Sequence, residues 1–156
     1  MSRLTVELRG ASATEAAGAA LAQPLADRSG VVFLEGELGA GKTTLTRGFL
    51  RALGVVGTVR SPTYTLMEPY EIGARTVVHM DLYRLRDPEE LWGLGLDSYS
   101  PDRALWLVEW PEKGADLLPA PLLRIRLQYF GTGRTLDASG PAELIDRLRA
   151  ALKDLH

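Results

Sequence analysis

The sequence predicts an α/β domain on a mixed sheet, with parallel strands at its centre and antiparallel hairpins at its edges, and three observations carry this. An apolar run, Val31-Val32-Phe33-Leu34, leads into Gly36-Glu37-Leu38-Gly39-Ala40-Gly41-Lys42-Thr43, which fits the strand-to-helix pattern G-x-x-x-x-G-K-[ST]. A second run, Ala104-Leu105-Trp106-Leu107-Val108, is apolar without interruption, as a strand buried on both faces requires. Two stretches, 61–82 and 122–136, are β-prone and broken by glycines, as hairpins are.

The elements follow in order. Leu4, Val6 and Leu8 alternate with polar neighbours, so a short strand opens the chain, and Ser12-Ala13-Thr14-Glu15 reads as a capping box starting an alanine-rich helix. Pro24 and Gly30 end that helix. A strand over 31–35 precedes the glycine-rich loop, and a helix from Lys42 to about Leu53 follows it, with Gly54 at the C′ position. Alternation over 61–70, a turn at Gly73 and a second strand over 76–82 predict a hairpin. Asp87-Pro88-Glu89-Glu90 supplies an acidic N-cap, proline at N1 and first-turn carboxylates, and Gly93 and Gly95 keep the resulting helix short. The buried strand over 104–108 stops at Glu109. Leu123, Ile125, Leu127 and Tyr129 alternate with Arg124, Arg126 and Gln128, as in a strand with one wet face, before Gly131 and Gly133 turn the chain toward Thr135 and Leu136. Gly140-Pro141 starts a last helix lined by Leu144, Ile145, Leu148 and Leu152.

At 156 residues and 46% hydrophobic content, the chain is expected to form one domain, 1–156, with a real core. No apolar run approaches the roughly 20 residues that span a bilayer, and Arg3 and Glu7 interrupt any signal-peptide core, so a cytoplasmic protein is expected. Without cysteine, and with His79 and His156 as its only histidines, the chain can build neither a zinc cluster nor a disulfide framework, and thiol catalysis is excluded. A net charge of −2 is not the footprint of an autonomous nucleic-acid binder, so any nucleic acid is expected to be reached through a partner.

The glycine-rich loop predicts a nucleoside triphosphate as ligand. Its glycines let backbone N–H groups turn toward an anion at the positive end of the following helix, Lys42 can reach the terminal phosphates, and the Thr43 hydroxyl can ligate magnesium. Lysine here is not background usage, because apart from Lys42, Lys113 and Lys153 the chain writes its positive charge as arginine.

Hydrolysis also needs an acid at the end of a neighbouring strand. Glu109 ends the cleaner apolar strand and is the favoured metal ligand, while Asp81 would then hold a metal-bound water or position the nucleophile. For either acid the alternative is a helix cap or an ion pair with an arginine such as Arg84. His79 shares the face of Asp81 and reads as structural. Ser61-Pro62-Thr63-Tyr64 fits equally a nucleotide-sensing loop or the start of a strand. Trp110 could lie near the base or cover the sheet edge, and Arg134 could reach phosphate or base or sit solvated at a hairpin tip.

Taken together, the loop, Ser61-Pro62-Thr63-Tyr64-Thr65-Leu66, His79-Met80-Asp81-Leu82-Tyr83-Arg84 and Glu109-Trp110-Pro111-Glu112 resemble the TsaE (YjeE) family over nearly the whole chain, late Gly133-Arg134 included. The resemblance implies a P-loop NTPase fold with helices on both faces of the sheet. It implies an ATPase, using ATP and Mg2+, that works with the TsaD and TsaB proteins to place threonylcarbamoyl on the adenosine beside the anticodon of tRNA. By position it gives the phosphates to Leu38, Gly39, Ala40, Gly41, Lys42 and Thr43, the magnesium to Thr43 and Glu109, and a catalytic or switch role to Asp81. It makes 61–66 a switch segment, sets Trp110 and Arg134 near the nucleotide, and brings Ser12 to Thr14 toward the base.

Two rivals share the loop. A GTPase-like switch should read guanine through an asparagine or threonine before Lys-x-Asp, but the chain has no asparagine and Lys113 is followed by Gly114-Ala115. A small-molecule kinase should carry an arginine lid and an acceptor pocket; Arg84 and Arg86 could imitate the lid, but no acceptor site is evident.

Overall fold

A computed structural model describes residues 1–59, 61–153 and 155. Strands β1 (Ser2–Leu8), β2 (Gly30–Gly36), β3 (Met67–Ile72), β4 (Arg75–Asp81), β5 (Leu105–Glu109), β6 (Leu123–Phe130) and β7 (Gly133–Gly140) join in one seven-stranded sheet, in the order β1-β7-β6-β2-β5-β4-β3. The loop strand β2 runs parallel to both β5 and β6, and β4 runs parallel to β5. The β3–β4 and β6–β7 hairpins and the β1–β7 pair are antiparallel. Parallel centre and antiparallel edges are both present, as the two buried runs and the two alternating stretches predict.

Strand periodicity of two divides the interior into two cores. Val32, Leu34, Leu105, Leu107, Ile125 and Leu127 face helices α1 (Gly10–Leu25), α2 (Lys42–Ala52) and α3 (Ala142–Leu152). Val31, Phe33, Val78, Met80, Trp106 and Val108 face the other way, toward Leu85, Leu91 and Leu118. Short three-ten turns at Pro88–Leu94, Leu96–Tyr99 and Pro111–Leu117 accompany that second core. Helices therefore lie on both faces, α-helical on one and three-ten on the other.

Helix α2 ends as its sequence predicts. Gly54, at C′, donates to Arg51 O at 3.0 Å and Val55 donates to Leu50 O at 3.0 Å, the paired bonds of a Schellman cap. Against α1 this helix packs backbone to backbone. A Cβ on Gly18 would overlap the carbonyl of Leu45, and one on Gly48 would overlap the carbonyl of Glu15, so the two glycines set how closely the helices approach.

Four local expectations are corrected. Ser12 is no N-cap: α1 begins at Gly10, whose φ of +82° turns the chain straight out of β1, and Arg9 at the N-cap position makes no side-chain cap. Pro24 lies inside the last turn of α1, which runs to Leu25. Strand β3 starts only at Met67, because Leu66 N donates to Pro62 O at 2.8 Å and folds 62–66 into a turn. The segment at Asp87 is capped as foreseen, with a reciprocal box between Asp87 and Glu90, yet it winds as a three-ten helix. Among the described residues no helix is long and apolar enough to cross a membrane.

Candidate nucleotide site

The C-terminal ends of β2, β5 and β4 lie side by side, which brings the loop, Glu109 and Asp81 to one edge of the sheet. The uninterrupted strand β5 does stand beside the loop strand, and β4 lies one position further out. A cleft of about 380 Å³ opens there, and its lining includes Leu38, Gly39, Gly41, Lys42, Thr43, Ser61, Thr63, Asp81, Glu109 and Trp110.

At its floor, Lys42 is the first residue of α2 and is 4% exposed. Its ammonium donates to Gly36 O at 2.6 Å and stands 3.6 Å from the centre of the Trp110 ring. Burial pushes the Lys42 ammonium below its ordinary pKa, and attraction to Glu109, Asp81 and Glu112 opposes that shift. Trp110 reaches this place because its backbone is left-handed, with φ 57° and ψ 50°, so the chain leaves β5 sharply and the ring turns over the lysine. Tyr83 packs against the same ring at 5.1 Å between centroids.

Glu109 is almost fully buried and holds two neighbours. The Thr43 hydroxyl donates to its carboxylate at 3.3 and 3.5 Å, and His79 Nε2 lies 2.6 Å from its Oε2. An ionised Glu109 can only accept in that bond, so His79 donates through Nε2, and its Nδ1, also buried, has no partner among the described residues. His79 is thus structural in a specific sense, because it orients the acid. Sharing a face with Asp81 pointed to this position, but the partner sits on the adjacent strand, out of reach of a single-strand reading.

Asp81 gathers the segment before β3. Its Oδ2 accepts from the Ser61 hydroxyl at 3.1 Å and the Thr63 hydroxyl at 3.3 Å, and its Oδ1 accepts from Tyr83 N at 3.1 Å. Asp81 N donates to Leu66 O at 3.0 Å, and Leu66 itself is left-handed at φ 68°. The alternative for Asp81, an ion pair with Arg84, is not found among the described residues; the Arg84 guanidinium lies over the Tyr64 ring at 4.5 Å. Of the two readings for Ser61 to Tyr64, these bonds exclude a strand.

The remaining sequence candidates divide. Arg134 contacts loop carbonyls from outside the cleft: Nε donates to Ala40 O at 3.1 Å and Nη2 to Gly39 O at 3.4 Å. Ala40 is fully buried, whereas Leu38 is 66% exposed at the mouth. Thr14 packs against the loop, where a Cβ on Gly41 would meet its methyl group at 3.1 Å, while Ser12 is exposed. Thr43 and Glu109 supply the hard oxygen donors that magnesium prefers. Among the described residues no three His, Cys, Asp or Glu side chains group as a metal cage, so such an ion would complete its shell with phosphate and water.

Known proteins carry the same architecture. The crystal structure of Bacillus subtilis YdiB superposes with a TM-score of 0.76 over 97% of this chain and 95% of that one, at 30% sequence identity. The tRNA threonylcarbamoyladenosine biosynthesis protein TsaE of Haemophilus influenzae is 47% identical over 107 residues, 69% of this chain and 68% of that protein. The Bacillus subtilis protein of the same name is 44% identical over 101 residues, which span 65% of this chain and 63% of the relative. The family model for threonylcarbamoyl adenosine biosynthesis protein TsaE matches residues 8–136, a span that takes in the loop, the Asp81 segment, Glu109 and Arg134. The chain belongs to the TsaE family.

Proposed function

We propose that this chain is a magnesium-dependent ATPase of tRNA threonylcarbamoyladenosine formation, which hydrolyses ATP to drive or reset a complex of TsaD and TsaB in the cytoplasm and meets tRNA only through that complex. The observation that carries the reading is the convergence of the Thr43 hydroxyl on the buried Glu109 carboxylate beside the Lys42 ammonium, in a cleft that a glycine-rich loop encloses. This is the donor set that triphosphate chemistry asks for, two oxygens for a divalent cation and one compact positive charge for the phosphates.

Each residue then has one task. Backbone N–H groups of Gly39, Gly41, Lys42 and Thr43, at the start of α2, receive the phosphates. Lys42 swings on its flexible stem from the Gly36 carbonyl to the terminal phosphates, and the Trp110 ring forms the wall it leaves. Thr43 and Glu109 hold magnesium, which when bound neutralises charge on the phosphate oxygens. His79 fixes the Glu109 carboxylate in rotation. Asp81 faces the same cleft and either orients the attacking water or couples turnover to the 61–66 segment that its carboxylate holds.

Asp81→Ala is expected to leave ADP affinity near that of the parent while lowering turnover on the order of a hundredfold, read by calorimetry beside steady-state phosphate release. Loss of binding instead would make Asp81 a structural residue. The functional reading is tested by tRNA modification in vitro with TsaD and TsaB, with and without this chain, over several turnovers. Sustained modification should require the chain, ATP and magnesium, and product formation indifferent to its presence would overturn the proposal.

A further inference from the structure

The tip of the β6–β7 hairpin lies against the outside of the 36–43 loop, and its side chains fall on three consecutive carbonyls. Tyr129 Oη donates to Leu38 O at 3.2 Å, Arg134 Nη2 to Gly39 O at 3.4 Å and Arg134 Nε to Ala40 O at 3.1 Å. The two residues pair directly across the hairpin. The Arg134 guanidinium stacks 4.1 Å from the Tyr129 ring centre, and its Nη1 donates to Gly133 O at 2.9 Å. Tyr129 and Arg134 therefore form one unit with fixed geometry.

What that unit does follows from peptide planarity. In a trans peptide the N–H points opposite the C=O, so carbonyls of Leu38 and Ala40 drawn toward the hairpin turn the N–H groups of Gly39 and Gly41 the other way. Gly39 and Gly41 line the cleft. The intervening N–H, of Ala40, is taken up inside the loop by Glu37 O at 3.0 Å. The hairpin thus holds outward the carbonyls of the very peptides whose donors face the anion site.

We propose that Tyr129 and Arg134 are a strap that fixes the loop in its anion-binding form, positioning residues that act on the nucleotide through the loop backbone. The inference rests on the reading of the loop as a nucleotide site. Without the strap, the loop would have to be ordered at the moment of binding, and affinity would fall by that ordering cost.

The test compares the parent chain with Tyr129→Phe, Arg134→Lys and the double variant. Calorimetry with ADP and ATP should show each single change raising Kd about tenfold for both nucleotides, with the double variant little worse than either, because the two act as one unit. Hydrogen exchange at the Ala40 amide, followed by NMR without nucleotide, should accelerate about tenfold in both single variants. Parent-like affinity in Tyr129→Phe, with the loss confined to Arg134→Lys or to one nucleotide, would overturn the strap in favour of a direct arginine contact. If the parent chain binds neither nucleotide, the ATPase reading fails, and Ala40 exchange still decides the strap: unchanged exchange in both variants would refute it.

Discussion

Glu109→Ala is expected to lower magnesium-dependent ATP turnover a hundredfold or more, on the order of the losses that follow removal of a catalytic metal's protein support. Two consequences of the change act together. The Thr43 hydroxyl loses its carboxylate partner, a divalent cation would, on the proposed reading, lose an acidic ligand, and the buried His79 loses the acceptor 2.6 Å from its Nε2. Glu109→Gln separates them, because an amide oxygen can still accept from His79 while the negative charge is gone. If charge at the cation is what matters, both variants should be equally inactive while ADP binding persists. Recovery by Gln would assign the loss to the His79 contact, and full activity in Glu109→Ala would remove Glu109 from the metal altogether. Phosphate release across a magnesium titration, with ADP affinity measured alongside, distinguishes the three. Lys42→Ala and Thr43→Ala should abolish turnover too, but Lys42→Ala should also weaken nucleotide binding.

The largest expected effect on stability lies away from the chemistry, where α1 crosses α2. Gly48→Ala puts a methyl group onto the carbonyl of Glu15, and neither atom is the end of a flexible side chain, so one helix must shift. A cost of about 3 kcal/mol, the upper end for overpacking, is expected, a fall of roughly 6–12 °C in thermal midpoint for a chain of this size. Gly18→Ala, which meets the carbonyl of Leu45, should behave alike. Gly93→Ala is the control: nothing lies within 4 Å of a Cβ there, and its stability should change by no more than about 0.5 kcal/mol. Equal stability of all three variants would mean that the helices are free to separate. Because α2 begins with Lys42 and Thr43, a shift there also moves the cleft, so the nucleotide affinity of Gly48→Ala should fall with its stability.

Much of this was legible in the sequence, where local chemistry and tertiary structure ask for the same thing. The loop declares itself because few residues other than glycine suit its backbone at 36, 39 and 41, where φ is positive. Strand β5 declares itself because burial on both faces leaves no polar position before Glu109. The hairpin around Gly73 and the Schellman cap at Gly54 are set by one residue each. The failures share a different cause. Ser61 to Leu66 carry strand-like side chains, but Ser61 and Thr63 bond to a carboxylate on β4, a partner that propensity does not see. Gly18 and Gly48 sit inside helices as ordinary small residues, and only the crossing of α1 with α2 shows what they are for. Arg134 was visible as a residue near the site, but its target proves to be loop carbonyls, which are invisible in a sequence because every residue has one. The bond between His79 and Glu109 joins strands whose adjacency is a matter of topology.

The loop is contiguous in the chain, yet its surroundings are assembled from afar, and this bears on how the protein folds. Thr43 meets Glu109 across 66 positions, Tyr129 meets Leu38 across 91, and Arg134 meets Ala40 across 94. As the chain leaves the ribosome, the loop and the start of α2 emerge early, but the acid and the hairpin that brace them come much later. Helix α2 can form from local contacts, whereas the parallel pairing of β2 with β5 and β6 must wait for chain closure over long loops, the slow kind of folding step. A nascent or truncated chain that ends before β6 would therefore display the eight-residue signature without a braced binding site, and competence for nucleotide should be among the last properties the folding chain acquires.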